Sequence, residues 1–415
     1  MMRALFAGVS GLRNHQTALD VIGNNIANVN TVGFKASRVT FKEAFVQMLE
    51  GASRPGASGG KNPLQIGSGM SLGSVDQMYT QGNFETTGQT FDLAIQGDSL
   101  FVLNSGSGTA YTRAGNLTLD ATGRLVAESN GFAVQGRMAD ATGAFPSSAG
   151  IGDIIIPFGQ ASPGQATGTV TMTGNLDQAT PVGGTHAMTI TTYDSAGAAH
   201  DLSVTMTNTG PGAWSWSATS GSATVTPAGT GTVTFNPDGS LAAFTYPGAG
   251  AGLTLTPTAG APYTVTIGSG TVGAFDGLTG FASASNAVSS GQNGYPSGEL
   301  DSLTVDSTGV ITGSFTNGIT RSLAQVALAT FNNPGGLNRI GDTMYGESPN
   351  SGLPITGFAG STNNSSITAG ALESSNVDIS QEFTNMIIAQ RGFQANARVI
   401  TTADEMLTEL VNLKR

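Results

Sequence analysis

A seven-residue apolar step both opens and closes this chain. Near the start it lands on Leu5, Leu12, Leu19 and Ile26, with Val9 on the companion row. Near the end it lands on Ile379, Met386, Phe393, Ile400 and Leu407. The companion row there runs Phe383, Ala397 and Val411, interrupted by Gln390 and Asp404. A 3.5-residue repeat is the period of helices held against other helices. Asp378 with Gln381 makes an N-cap pair, and no proline follows it. Helices this long draw most of their stability from packing an apolar face. The two ends are therefore expected to pair as a coiled coil, with these rows facing each other.

What lies between the ends does not suit helices. Glycine supplies 60 of 415 residues and charged residues only 10%, against a usual ~7% and ~25%. Thr, Ser, Ala and Gly dominate, in short alternating runs broken by turn residues, so the middle is expected to be β. Trp214 and Trp216, two apart, face one side of their strand and anchor its core. The fold class is thus mainly β with terminal α-helices, in discontinuous nested domains. The expected division is 1–30 with 371–415 as a helical core, 31–70 as an extended linker, 71–146 with 287–370 as a middle β domain, and 147–286 as an inserted outer β domain. Gly51, Gly59, Gly60, Pro146 and Ala287 mark the expected hinges.

Charge is distributed as unevenly as structure. Between Met138 and Thr320 there is no Lys or Arg, against nine Asp and one Glu, so that segment holds −10 of the net −11. Such a surface repels phosphate backbones, which argues against nucleic acid as a partner. No apolar run approaches the ~20 residues of a membrane span, and the glycine-broken start does not resemble a cleaved secretory signal. Without cysteine, disulfides and thiolate metal sites are excluded.

Catalytic patterns are weak. Gly56-Ala57-Ser58-Gly59-Gly60 matches G-x-S-x-G, but it sits in a Gly/Pro-rich stretch rather than between a strand and a helix. Asp194 with His200 could be imagined as an acid/base pair, yet a turn over Asp194-Ser195-Ala196-Gly197 accounts for the same residues. No catalytic, cofactor-binding or metal residue is expected, and the chain does not read as an enzyme.

The terminal motifs do point somewhere. Leu19-Asp20-Val21-Ile22-Gly23-Asn24-Asn25-Ile26-Ala27-Asn28, continuing to Thr31-Val32-Gly33-Phe34-Lys35, resembles the N-terminal signature of bacterial flagellar axial rod and hook proteins. Met386-Ile387-Ile388-Ala389-Gln390-Arg391-Gly392-Phe393-Gln394-Ala395-Asn396, preceded by Ser375-Asn376-Val377-Asp378, resembles that family's C-terminal signature. Gln81-Gly82 and Tyr111-Thr112-Arg113-Ala114-Gly115 resemble its middle domain, and Gly174-Asn175-Leu176-Asp177 the outer domain found in hook members. Asn24, Asn25, Asn28, Gly33, Phe34, Gln390, Arg391, Gly392 and Phe393 carry the family motif.

With its insertion, the resemblance implies a structural subunit of the hook, assembling into a curved, flexible, hollow tube that transmits torque from rod to filament. The implied partners are copies of itself, flagellar rod proteins, hook–filament junction proteins, a hook cap scaffold and the flagellar type III export apparatus. The implied location is extracellular, on the flagellum, reached without a cleaved signal peptide. The alternatives are a distal rod protein, a stiff drive shaft, or a secreted β-rich adhesin or glycan-binding module. Arg3, Arg13, Lys35, Arg391 and Arg398 are expected to be open to trypsin in the free chain and shielded in the polymer.

Overall fold

The computed structural model describes residues 2–412, apart from 53, 55–58, 107, 141, 147–149, 157–158, 160, 249 and 361–363. Helix α1 spans Met2–Ala27 and helix α2 spans Ile379–Asn412. Asp378 caps α2: its Oδ1 accepts from Ser380 N at 2.8 Å and Gln381 N at 3.2 Å. Among the described residues, what lies between the helices is strand, turn and loop, apart from one short 3-10 turn at Pro334–Gly336. The fold is mainly β with helical termini.

The chain divides into two compact units, one of residues 1–157, 303–312 and 321–415, the other of residues 158–302 and 313–320. They are called here the terminal unit and the inserted unit. In the terminal unit, strand β1 (Ser37–Glu43) pairs antiparallel with β4 (Met70–Gln77), and β2 (Val46–Glu50) with β3 (Leu64–Gly67). The stretch expected to be an extended linker therefore contains paired strands. Its Val, Phe, Met and Leu residues favour paired strands, and the Gly/Pro-rich run that suggests a linker falls between β2 and β3 in the sequence. Gly56 to Ser58 lie outside the described residues.

Further along, β5 (Phe84–Thr86) pairs with Ala371–Glu373, and β6 (Leu93–Gln96) with Ser366–Ala369. These ladders bring the segment just before α2 back beside residues nearly three hundred positions earlier. β7 (Leu100–Asn104) and β8 (Thr109–Thr112) form a hairpin at the centre of a larger sheet, whose core includes Leu100, Val102, Tyr111, Ala327, Ala329 and Tyr345.

Asp120-Ala121-Thr122-Gly123, Asp140-Ala141-Thr142-Gly143 and Asp306-Ser307-Thr308-Gly309 reuse one turn chemistry. In each, Asp Oδ1 accepts from the Thr N–H and hydroxyl and from the N–H four residues on, all within 3.0 Å. The following glycine has φ of +79°, +84° and +74° respectively, in the left-handed region that glycine enters freely.

The inserted unit is a β-sandwich. One sheet is the antiparallel series Thr185–Tyr193, Ala199–Gly210, Ala213–Ser220, Gly231–Phe235 and Leu241–Thr245. The second contains Thr169–Asn175, Leu253–Pro257 and Tyr263–Gly268. Both contribute to a single core around Trp214, Trp216, Met206, Val233, Leu253 and Val265. The Trp pair faces inward together, as the two-residue spacing requires.

Two hinge expectations are corrected. Ala287 is 1% exposed in the sandwich core; its N–H bonds Asn175 O and its carbonyl bonds the His186 ring. A hinge needs freedom that such a residue lacks. Pro146 is exposed, but the units part near 157 and 302 rather than near 146 and 287. Composition placed those boundaries too early because turn-rich segments continue on both sides of them.

Candidate assembly interface

The deepest charged site of the terminal unit joins three distant segments. Glu373 Oε1 accepts from Lys35 Nζ at 2.8 Å and from Gly82 N at 2.8 Å, while Oε2 accepts from Arg113 Nε at 2.5 Å. Arg113 spends its other donors on the carbonyls of Ser99 and Ile95, and Lys35 also reaches Thr80 O. All three side chains are at most 4% exposed. Burial alone would raise the Glu373 carboxyl. The Arg113 charge and the hydrogen bonds from Lys35, Arg113 and Gly82 overcome it and hold the group below the usual carboxylate range. The Lys35 amine is lowered, chiefly by burial. Chemically this is a staple: every strong donor is satisfied from within. Lys35 is thus a poor trypsin site, contrary to the expectation for it.

Around the staple the motif residues act on the backbone. Gly33 adopts φ +67°, donates to Glu373 O at 2.8 Å, and leaves no room for a Cβ, which would stand 2.6 Å from Ala114 N. Phe34 is buried under the Arg339 guanidinium. Asn25 is buried in α1; it donates to Ser37 O and accepts from Ser37 N, clamping β1 to the helix. Its amide also meets Glu382 of α2 at 3.3 Å. Asn28 closes the end of α1 through Asn24 O and Thr31. Asn376 does for the C-terminal segment what Asn25 does for α1, bonding Ala36 N, Met78 O and Thr80.

Helices α1 and α2 pack antiparallel, and the expected rows meet the seam only in part. The buried stripe of α1 is Gly8, Gly11, Asn14, Ala18, Ile22 and Asn25, and α2 buries Glu382, Ala389 and Ala403. A Cβ on Gly8 would lie 3.1 Å from Ile400, one on Gly11 2.6 Å from the Asn396 amide, and one on Gly392 2.5 Å from the His15 ring. Small residues let the two backbones approach closely, and the pairing follows them. Of the heptad rows, Leu19, Ile26 and Met386 pack on the Ala18, Ile22 and Ala389 cluster and Ile400 faces Gly8, while Leu5, Leu12, Ala397 and Leu407 are half-buried. Val9, Ile379, Phe383, Phe393 and Val411 are exposed, as are Gln390 and Arg391.

Beside the seam lies a groove of about 420 Å³ whose lining includes Ala18, Val21, Ile22, Val39, Phe41 and Ile388. Other large apolar side chains of the same terminal unit are exposed as well. Phe6, Phe45, Met48, Leu64 and Ile387 are exposed, along with most large side chains of β1–β4. Monomers seldom expose apolar area on this scale, and such area marks an interaction surface.

Comparison with known proteins gives that surface a family. Residues 5–35 match the model for flagella basal body rod proteins, and 94–176 that for the flagellar hook protein FlgE/F/G D1 domain. Residues 163–295 match the flagellar basal body protein FlaE D2 domain, and 368–413 the C-terminal model of flagellar basal body rod FlgEFG proteins. The chain is 41% identical to the flagellar hook protein FlgE of Borreliella burgdorferi, over the full length of both. It belongs to the flagellar hook protein FlgE family. FlgE of Treponema pallidum is 40% identical and the rod protein FlgG of Bacillus subtilis 32%, each again over the full length of both chains. In fold, this FlgE-family chain resembles the crystal structure of Helicobacter pylori hook protein FlgE2, at TM-score 0.50 and 15% identity. That match covers 70% of this chain and all of the other.

Sequence reasoning on the FlgE-family chain missed the staple, although Lys35, Gly82 and Arg113 each stand inside a motif it quoted. The remaining member, Glu373, lies 338 positions from Lys35, and no local spacing connects them. The signal available was weaker: a chain with 10% charged residues has few reasons to keep Lys35 and Arg113 inside otherwise apolar or glycine-bearing motifs.

Proposed function

We propose that copies of this hook-family subunit assemble through α1, α2 and β1–β4 into the wall of a curved, hollow tube that transmits torque from rod to filament. The observation that carries this is the unpartnered apolar face: Phe383, Ile387, Ile388, Phe393 and Val399 on α2, with Met2, Phe6 and Val9 on α1, are all exposed in one chain. Burying a side chain of this size contributes ~1.5–3 kcal/mol, which only a neighbouring copy supplies. The exposed members of the heptad rows, Val9, Ile379, Phe383, Phe393 and Val411, then serve contacts between copies.

In this reading the subunit meets rod proteins at one end and hook–filament junction proteins at the other. It is placed under a cap scaffold after delivery by the export apparatus, and it works outside the cell. Gly51, Gly59 and Gly60, exposed and outside the strands, serve as its compliant positions. The inserted unit carries acidic groups and no basic ones, so contacts between its copies lack salt bridges and slide easily.

Immunogold electron microscopy with antibody to residues 147–286 tests the assignment. Label is expected on the short curved segment between basal body and filament. Label on the straight shaft below would support the second reading, a distal rod protein, which the full-length likeness to FlgG favours.

A further inference from the structure

The outer faces of the two helices carry charges that one chain leaves unused. On α1, at 3.6 residues per turn, Met2, Phe6, Val9, Arg13 and Asp20 lie opposite the buried stripe of Gly8, Gly11, Ala18 and Ile22, and all five are exposed. On α2, Ile388, Val399, Met406 and Leu410 form a second exposed apolar stripe. Arg398 and Glu405 lie on the neighbouring strip of α2, opposite the buried Ala389 and Ala403, and both are exposed. Among the described residues, none of Arg13, Asp20, Arg398 and Glu405 enters an ion pair.

Their spacing is matched. Arg13 and Asp20 are one heptad apart, basic then acidic; so are Arg398 and Glu405. Laid parallel, the two stripes set like charges together. Laid antiparallel, they place Arg13 opposite Glu405 and Asp20 opposite Arg398 in a single register. Flanking charges of this kind set orientation and register in coiled coils.

A single chain cannot form this register. Within it, Gly11 sits on Asn396 and His15 on Gly392, so Arg13 is level with residue 394. That is some eleven residues, or about 16 Å at ~1.5 Å per residue, from Glu405. Copies that all point one way along a polymer do present α1 of one antiparallel to α2 of the next, because the helices are antiparallel inside each copy.

We propose that the outer stripe of α1 docks on the outer stripe of α2 of a second copy, with Arg13 paired to Glu405 and Asp20 to Arg398. The proposal rests on the self-assembly reading above and fixes its register. The experiment is elongation of full-length chain from polymer seeds, followed by pelleting and electron microscopy, with circular dichroism to confirm that each variant folds.

Arg13→Glu alone and Glu405→Arg alone should each raise the concentration needed for polymer at least about tenfold, since like charges set face to face are strongly penalised. The chain carrying both should polymerise with itself near the wild-type concentration, yet be excluded from wild-type seeds. Asp20→Arg with Arg398→Glu supplies an independent pair with the same expected pattern. A doubly swapped chain that stays unpolymerised, or joins wild-type seeds freely, would overturn the register. Failure of the wild-type chain itself to polymerise would instead sink the self-assembly reading.

Discussion

The inserted unit and the helix pair handle their large side chains in opposite ways. The inserted unit puts Trp214, Trp216, Leu202, Val204 and Leu253 into one dry core shared by two sheets. The helix pair buries mostly glycine, alanine and asparagine, beside Ile22 and Glu382, and leaves Phe6, Phe383 and Ile388 outside. A sandwich that fills its own interior needs nothing further to be stable. A helix pair held by small residues gains a close approach but little buried area, so its apolar surplus remains available to another chain. The contrast separates a unit that is complete alone from one that is complete only in company.

The largest test of that contrast is the staple that anchors the helices. Glu373→Ala would leave Lys35 and Arg113 buried and unpaired, and should cost about 3–5 kcal/mol, read by urea unfolding of the terminal unit. Trp216→Ala should cost a similar ~3–5 kcal/mol in the inserted unit. Unfolding should then be seen in that unit while polymer contacts of the helices survive. Phe383→Ala is the counter-case: within ~0.5 kcal/mol in the free chain, as for an exposed position, but with a clear rise in the concentration needed for polymer. A loss of several kcal/mol in the free chain would break the comparison.

Acid supplies a smaller, signed test. The Glu373 carboxyl is depressed in the fold, so its contribution is present above the ordinary glutamate range of ~4.3 and is lost as pH falls through the lower folded value. Glu382, in the helix seam, is raised by burial and by Asp378 against the hydrogen bond from Asn25. Its contribution is full below the ordinary range and is lost as pH rises through the higher folded value. Unfolding curves across that window should therefore move in opposite directions for Glu373→Gln and Glu382→Gln relative to wild type. Limited trypsin digestion gives the mildest check: Arg13, Arg391 and Arg398 should be cut in the free chain while Lys35 is spared.

Much of this was legible in the sequence. The helices were expected from a seven-residue step and an Asp378 cap, and the β middle from Thr-rich alternation and turns. What the step could not give was which row meets the intramolecular partner. Apolar periodicity marks a face that must be buried somewhere, whereas Gly8, Gly11 and Gly392 decide how near two backbones can come. The β1–β4 ladders were hidden by the Gly/Pro-rich run between β2 and β3, and Ala287 was mistaken for a junction because small residues serve cores and joints alike. The staple was hidden by distance along the chain.

That staple also gives the fold an order in time. A ribosome produces Lys35 first, Arg113 next and Glu373 only when most of the chain exists. Until then two cations wait without their counter-charge, and the segment that ladders onto β5 and β6 is missing. A prematurely ended chain carries both positive groups with no means of hiding them. The terminal unit therefore cannot close its charged site until residue 373 has been made, and a chain ended before it lacks the group that Lys35 and Arg113 bond.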